Sequence, residues 1–191
     1  MGKEVIVEEY NPKWAEDFRK LREIYQNEIT DVDVDIQHVG STSVIGLCAK
    51  PIIDIDIIIS KMSDFNKVKV HLENLGYRHI GDLGILNREM FKLNNSNLPL
   101  HHLYVCLKGA ASLNNHLKFR DYLRGNPEAA KKYAELKIAL AQKHKNDLDE
   151  YCSKKTDFII NSLAKCGLND SSIRKIKEVN SKYFEGRIED E

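Results

Sequence analysis

Asp54 and Asp56 stand two residues apart in the run Ile52-Ile53-Asp54-Ile55-Asp56-Ile57-Ile58-Ile59. The run is rich in β-branched residues and too short for a typical helix, so it reads as the central strand. Strand alternation then projects both carboxylates from one face and turns Ile53, Ile55 and Ile57 to the other. Two like charges in so apolar a segment repel each other unless water, a basic group or a divalent cation compensates them. Hard oxygen donors of this kind suit Mg2+ or Mn2+. The plain alternative is a half-exposed edge strand with alternating polar residues. Upstream, a strand ending at Val39 runs into Gly40-Ser41-Thr42-Ser43. Glycine lets the backbone approach a phosphate closely, and a serine hydroxyl with free amides can bind its oxygens. Taken alone, such a pair is usually only a turn.

A second set of groups lies on the segment His101-His102-Leu103-Tyr104-Val105, where His102 and Tyr104 share a face. His102 can act as a metal ligand or proton acceptor, whereas a neutral tyrosine is a poor ligand but a good hydrogen-bond donor. Against this stands a purely structural histidine pair on a sheet edge. Lys50, immediately before the acid-bearing strand, and Arg88, expected on a strand adjacent to it, are candidates for binding phosphate charge. Arg120, Lys137 and Lys155 could also face the cleft, although surface salt bridging is the commoner fate of such groups. Asp33 and Asp35 read as solvent-facing strand residues.

Several elements must position these residues. Asn11-Pro12 opens a helix with Trp14, Phe18, Leu21, Ile24 and Tyr25 at three- and four-residue spacing. Alternation from Val32 to Val39 predicts a strand leading into the glycine-serine turn. Ser63-Asp64 suggests a helix start, with Phe65, Val68, Leu72 and Leu75 as its stripe and Gly76 as its stop. Strands are expected around Arg88 to Leu93 and His101 to Leu107, separated by the polar turn Asn94-Asn95-Ser96-Asn97. From about Ala111 the pattern is helical. Asn126-Pro127 resembles an N-cap with proline at the first helical position, Tyr133, Leu136 and Leu140 form one stripe, and Tyr151, Phe158, Ile159 and Leu163 another. The fold class is therefore α/β (α+β): a small mixed sheet with flanking helices, then a helical part.

Composition narrows the function classes. The 191 residues carry 29 lysines and arginines against 29 aspartates and glutamates, so no net field draws the chain to nucleic acid or to a membrane surface. Any polyanion specificity must be local. Cys48, Cys106, Cys152 and Cys166 match neither a disulfide framework nor a metal-binding pair, and read as packed or idle thiols in a reducing compartment. With no apolar signal core or spanning run, a cytoplasmic protein without membrane partners is expected.

The Gly40-Ser41 turn followed by Asp54-Ile55-Asp56 resembles the DNA polymerase β-like nucleotidyltransferase superfamily. There the turn holds triphosphate and the paired acids hold two metal ions. More of the chain resembles the GrpB family, also known as UPF0157. The shared residues begin with Tyr10-Asn11-Pro12-Lys13-Trp14, then His38-Val39-Gly40-Ser41-Thr42-Ser43-Val44, Gly46-Leu47 and Lys50-Pro51-Ile52-Ile53-Asp54-Ile55. Gly76-Tyr77, Arg88, Phe91, His101-His102-Leu103 and Phe119-Arg120-Asp121-Tyr122-Leu123 follow. Tyr133, Leu136-Lys137, Tyr151, Lys155 and Phe158-Ile159 complete the match. The resemblance implies a nucleotidyltransferase fold over residues 1–167, with an α/β half to about 108 and a helical half from about 109, and leaves 168–191 as a peripheral polar helix and acidic tail.

For function, the resemblance implies a metal-dependent nucleotidyltransferase acting on a nucleoside triphosphate and an unknown acceptor. Gly40, Ser41, Thr42, Lys50 and Arg88 would bind substrate; Asp54, Asp56 and His102 would carry catalysis and hold Mg2+ or Mn2+. The partner is a nucleotide or phosphorylated small molecule, consistent with the fusion of some relatives to dephospho-coenzyme A kinase. Two other readings stay open: a non-catalytic nucleotide- or coenzyme-binding module, and a metal-dependent phosphohydrolase. The first of these is motivated by one departure, and the second uses the same cleft. The superfamily carries a third carboxylate on a later strand, where this chain has no acid, and Tyr104 stands where relatives are expected to hold a second histidine.

Overall fold

Asn11 caps the first helix, its Oδ1 accepting from the Lys13 amide at 3.0 Å. The computed structural model describes residues 4–94 and 97–168. The expected polar helix and tail lie outside the described residues apart from Leu168, as do Asn95 and Ser96 of the polar turn.

Helix α1 (Lys13–Glu28) leads to β1 (Val34–Val39), which enters a 3-10 turn at Ser41–Ser43, and β2 (Ile53–Ile59) follows. Helix α2 (Phe65–Asn74) begins after another 3-10 turn, Met62–Asp64. Asp64 occupies the N-cap position, where the expected start at Ser63-Asp64 puts it, although its side chain makes no cap hydrogen bond. Gly76, at φ 88°, closes the helix as predicted: its amide donates to Glu73 O, and the Tyr77 amide to Leu72 O. Strands β3 (Arg78–Gly81), β4 (Arg88–Lys92) and β5 (His101–Leu107) complete the sheet. Helices α3 (Ala111–Gly125), α4 (Pro127–Lys143) and α5 (Leu148–Lys165) form the helical part. Pro127 opens α4 as expected, but Asn126 does not cap it; its side chain donates to Tyr122 O instead.

The strand order is β1-β2-β5-β4-β3, with β2 and β5 parallel and every other pair antiparallel. Two expectations change as a result. Arg88 does not lie on a strand adjacent to the acids, because β5 is inserted between β2 and β4. His101-His102 lies on the middle strand, not on a sheet edge. The register pairs Val39 with Asp54 on one side of β2, and Asp54 with His102 and Asp56 with Tyr104 on the other.

One face of the sheet is closed by α1 and α2. Ile36, Ile53, Ile55, Ile57, Leu103, Val105 and Phe91 pack there against Trp14, Leu21, Tyr25, Val68 and Leu72. Fully burying such side chains is worth about 1.5–3 kcal/mol each, so this face carries most of the apolar stabilisation. The opposite face holds a smaller apolar cluster of Ile58, Cys106, Ala110 and Leu113 at one end. At its other end the helical part meets the turn, through Val44, Leu47, Leu123 and Tyr133. Among the described residues, no helix is long and apolar enough to cross a membrane.

Candidate active site

The acid-bearing face of β2 is the less apolar one, and the turn after β1 is fitted onto it. Gly40 has φ 70°, and a Cβ built there would stand 2.1 Å from Asp54 Oδ2. Only glycine permits both the backbone conformation and the contact. Behind it, Thr42 and Ser43 are buried, and their hydroxyls hold the turn itself. Thr42 donates to Ile52 O at 3.3 Å and accepts from His38 Nε2 at 3.0 Å; Ser43 donates to Gly40 O at 2.6 Å. His38 stacks on Phe18 with ring centroids 4.6 Å apart, and burial pushes its pKa down to about 4, so it is a neutral structural histidine. Of the turn hydroxyls, Ser41 points to the helical part, where it interacts with the Tyr133 hydroxyl.

Asp54 and Asp56 share a face as the alternation predicts, but their environments differ. His102 Nδ1 donates to Asp54 Oδ1 at 2.9 Å, with the side chains 38% and 33% exposed respectively. Burial would raise the Asp54 pKa; the His102 hydrogen bond and the charges of His102, His116 and Lys155 outweigh it, and the carboxyl is held below its ordinary value. With Nδ1 held by Asp54, the ring is oriented through that contact and Nε2 is the nitrogen placed to accept a proton.

Asp56 is fully buried, not open to a cleft beside Asp54. Its Oδ2 accepts from His116 Nδ1 at 2.8 Å, and its Oδ1 finds no hydrogen-bond partner among the described residues, although the Cys106 thiol interacts with the carboxylate. Burial, then the Asp56 charge, push that thiol's pKa far up, so Cys106 is inert. For His116, burial opposes the charge, but Asp56, with Asp54 adding, outweighs burial and Arg88, and the pKa is raised. His116 was not legible beforehand: it is a lone histidine in Asn114-Asn115-His116, and only the docking of α3 brings it to β2.

The remaining candidates divide. Arg88 is 9% exposed, with its guanidinium 4.6 Å over the Tyr104 ring and its Nε without a hydrogen-bond partner among the described residues. It therefore sits at the Asp56 end, away from the turn. Lys50 is half-buried just before β2, its carbonyl accepting from the Ile52 amide at 2.7 Å. Arg120 donates to Gln37 Oε1 at 2.8 Å and His38 O at 3.1 Å, fastening α3 to β1.

Lys137 and Lys155, left among the less specific charges by the sequence, do come together, with Lys137 donating to Cys48 O on the segment that follows the turn. Lys155 acts electrostatically on Asp54 and on Lys137. Each lysine lies over the tyrosine four residues before it, Lys137 4.7 Å from the Tyr133 centroid and Lys155 4.5 Å from that of Tyr151. The repeated Tyr-x-x-x-Lys spacing was the available signal. Two cavities, of about 500 Å³ among α3, α4 and α5 and about 650 Å³ beside α1, lie away from Asp54 and Ser41.

Mg2+ is commonly met by one or two carboxylates together with substrate phosphates and water, rather than by an all-protein cage. Asp54 Oδ2 and Asp56 Oδ1 are donors of the right type. Asp56 is buried, however, and no group of three or more His, Cys, Asp or Glu among the described residues is disposed to hold a metal ion. The residues fit an ion that arrives with a phosphate ligand and do not fit a resident two-ion centre.

Known proteins agree with this architecture. The GrpB protein family model matches residues 4–165, and the chain belongs to that family. It is 35% identical over 160 residues to the glutamate-rich protein GrpB of Alkalihalophilus pseudofirmus, covering 82% of this chain and 92% of that one. It is also 35% identical over 150 residues to the UPF0157 protein YqkA of Bacillus subtilis, covering 78% of this chain but only 43% of YqkA, so the match spans less than half of that relative. The crystal structure of GrpB from Enterococcus faecalis superposes with a TM-score of 0.70 at 28% identity, covering 96% of this chain and all of that one. The Cid1 poly(U) polymerase with MgGTP bound superposes at 0.50 and 13% identity, covering 70% of this chain and 44% of Cid1, a likeness of fold alone.

Proposed function

We propose that this GrpB-family protein binds a nucleoside triphosphate at the Gly40-Ser41 turn and transfers its nucleotidyl group to an acceptor hydroxyl. The observation that carries the reading is the seating of Gly40 on Asp54, whose other carboxylate oxygen is held by His102. In this reading the turn amides and the Ser41 hydroxyl meet phosphate oxygens, and Lys155 supplies positive charge beside them. Tyr133 fixes Ser41 from the helical side. His102, oriented by Asp54, accepts the acceptor's proton at Nε2, replacing the superfamily's third carboxylate. A Mg2+ or Mn2+ ion brought by the triphosphate would be met by Asp54 and would neutralise charge on the leaving pyrophosphate. Asp56 stays with His116 and supports the strand. The resemblance in fold to Cid1, a poly(U) polymerase seen with MgGTP, supports a nucleotide ligand. Free thiols at all four cysteines suit the cytoplasm as the place of action.

The burial of Asp56 favours a second reading, a nucleotide- or coenzyme-binding module without turnover. Thermal shift across a panel of nucleotides, with and without Mg2+ or Mn2+, followed by product analysis, separates the readings. Stabilisation with pyrophosphate release supports transfer, and stabilisation without release supports the binding module. Release of inorganic phosphate makes the protein a phosphohydrolase, and no stabilisation by any nucleotide overturns the site.

A further inference from the structure

Lys137, on α4, is only 2% exposed, yet among the described residues no carboxylate pairs with it. Its Nζ donates to the carbonyl of Cys48, on the segment joining the Ser41 turn to β2, and lies over Tyr133. The titratable groups facing it are Cys48 from that segment, Tyr133 on its own helix, and Lys155 from α5. Tyr151, under Lys155, interacts with Cys48 in turn. Burial, with Lys155 adding and Cys48 opposing, brings the Lys137 pKa down to about 7. A buried ammonium without a counter-charge is unfavourable, and an anion held at the turn would supply that charge from the other side of Tyr133.

We infer that Lys137 is a positioning residue that takes up a proton from solvent when a phosphorylated ligand binds at the Ser41 turn. Its ammonium then reinforces the Tyr133 contact to Ser41 and completes, with Lys155, the positive wall facing the phosphate. The inference rests on the phosphate-binding reading of the site and adds to it a residue and a linked proton.

Titration calorimetry with ATP and Mg2+ on the full chain, between about pH 7 and 9 in two buffers of different ionisation enthalpy, tests it. ATP is ionised throughout the upper part of that range, so its own titration does not weaken binding as pH rises. The expected result is net proton uptake, approaching about one proton per ATP near pH 8, with affinity falling up to about tenfold per pH unit. Lys137→Met should bind more weakly with neither uptake nor pH slope, and Lys137→Gln should repeat this. Lys155→Met should bind weakly yet keep the uptake. Binding without uptake in the wild type, or uptake that survives in a folded Lys137 variant, overturns the inference and leaves the site standing. If both Lys137 variants fail to fold, wild-type uptake above the histidine range decides the matter. If folded wild type binds no ATP at any pH, both the inference and the phosphate site fall.

Discussion

Asp54 and Asp56 are chemically identical and two residues apart, yet they anchor different regions of the molecule. At the Asp54 end the carboxylate is one-third exposed, a glycine turn rests on it, and its histidine partner is open to solvent. At the Asp56 end the carboxylate is wholly buried under α3, with His116, Cys106 and Arg88 about it. An exposed carboxylate can exchange ligands, whereas a buried one mainly fixes elements in place, even though its His116 partner is 30% exposed. The proposed function places ligand chemistry in the first region and architecture in the second. Perturbations should separate the two.

The largest effect is expected from Gly40→Ala. A Cβ 2.1 Å from Asp54 Oδ2 must displace either the turn or the carboxylate. Together with the left-handed backbone this should cost about 2–4 kcal/mol of stability and abolish nucleotide binding. Denaturant unfolding and a nucleotide titration check both; unaltered binding would show that the turn is not the ligand seat.

Asp56→Asn should come next, and only in stability, at about 1–3 kcal/mol. Because the His116 pKa is raised in the fold, the pair's contribution is complete below the unfolded value of about 6.5 and is lost as pH rises through the higher folded value. The wild type should thus exceed the variant most at about pH 5.5 and least at about pH 8.5. Unfolding at the two values reads the difference, and a gap that widened with pH would contradict the pairing. Asp54 behaves oppositely. Its pKa is lowered, so its contribution is present above the ordinary carboxylate value and is lost as pH falls through the folded one.

The smallest change is expected for Ser41→Ala, whose hydroxyl meets Tyr133 and not the interior of the turn. Stability should stay within about 0.5 kcal/mol while nucleotide affinity falls by about tenfold. Thr42→Val should do the reverse, since the Thr42 hydroxyl is spent on Ile52 O and His38.

The sequence carried some of this division and not the rest. Period-two alternation in β2 is local, so the shared face of Asp54 and Asp56 and the buried Ile53, Ile55 and Ile57 could be read directly. The shared face of His102 and Tyr104 followed in the same way. The depth at which each acid lies depends on α3, which is distant in sequence, so Asp56 read as the equal of Asp54. Strand β3 was missed because Arg78-His79-Ile80-Gly81 is short, polar and irregular, with its register shifting between His79 and Gly81. The insertion of β5 between β2 and β4 is a non-local pairing that no window reveals, and it moved Arg88 away from the turn. His101 and His102 show the same limit on adjacent residues. His101 is locked between Pro99 O at 2.6 Å and the Tyr77 hydroxyl at 2.6 Å on the closed face, while His102 meets Asp54 on the open one.

The measurement that bears most directly on the division is a calorimetric titration of a Mg2+-bound nucleoside triphosphate into wild type, Asp54→Asn and Asp56→Asn, each shown to be folded at the temperature used. The account predicts binding to the wild type, a loss of about tenfold or more in Asp54→Asn, and an affinity within about threefold of wild type in Asp56→Asn. Equal losses in the two variants, or a greater loss in Asp56→Asn, would contradict it.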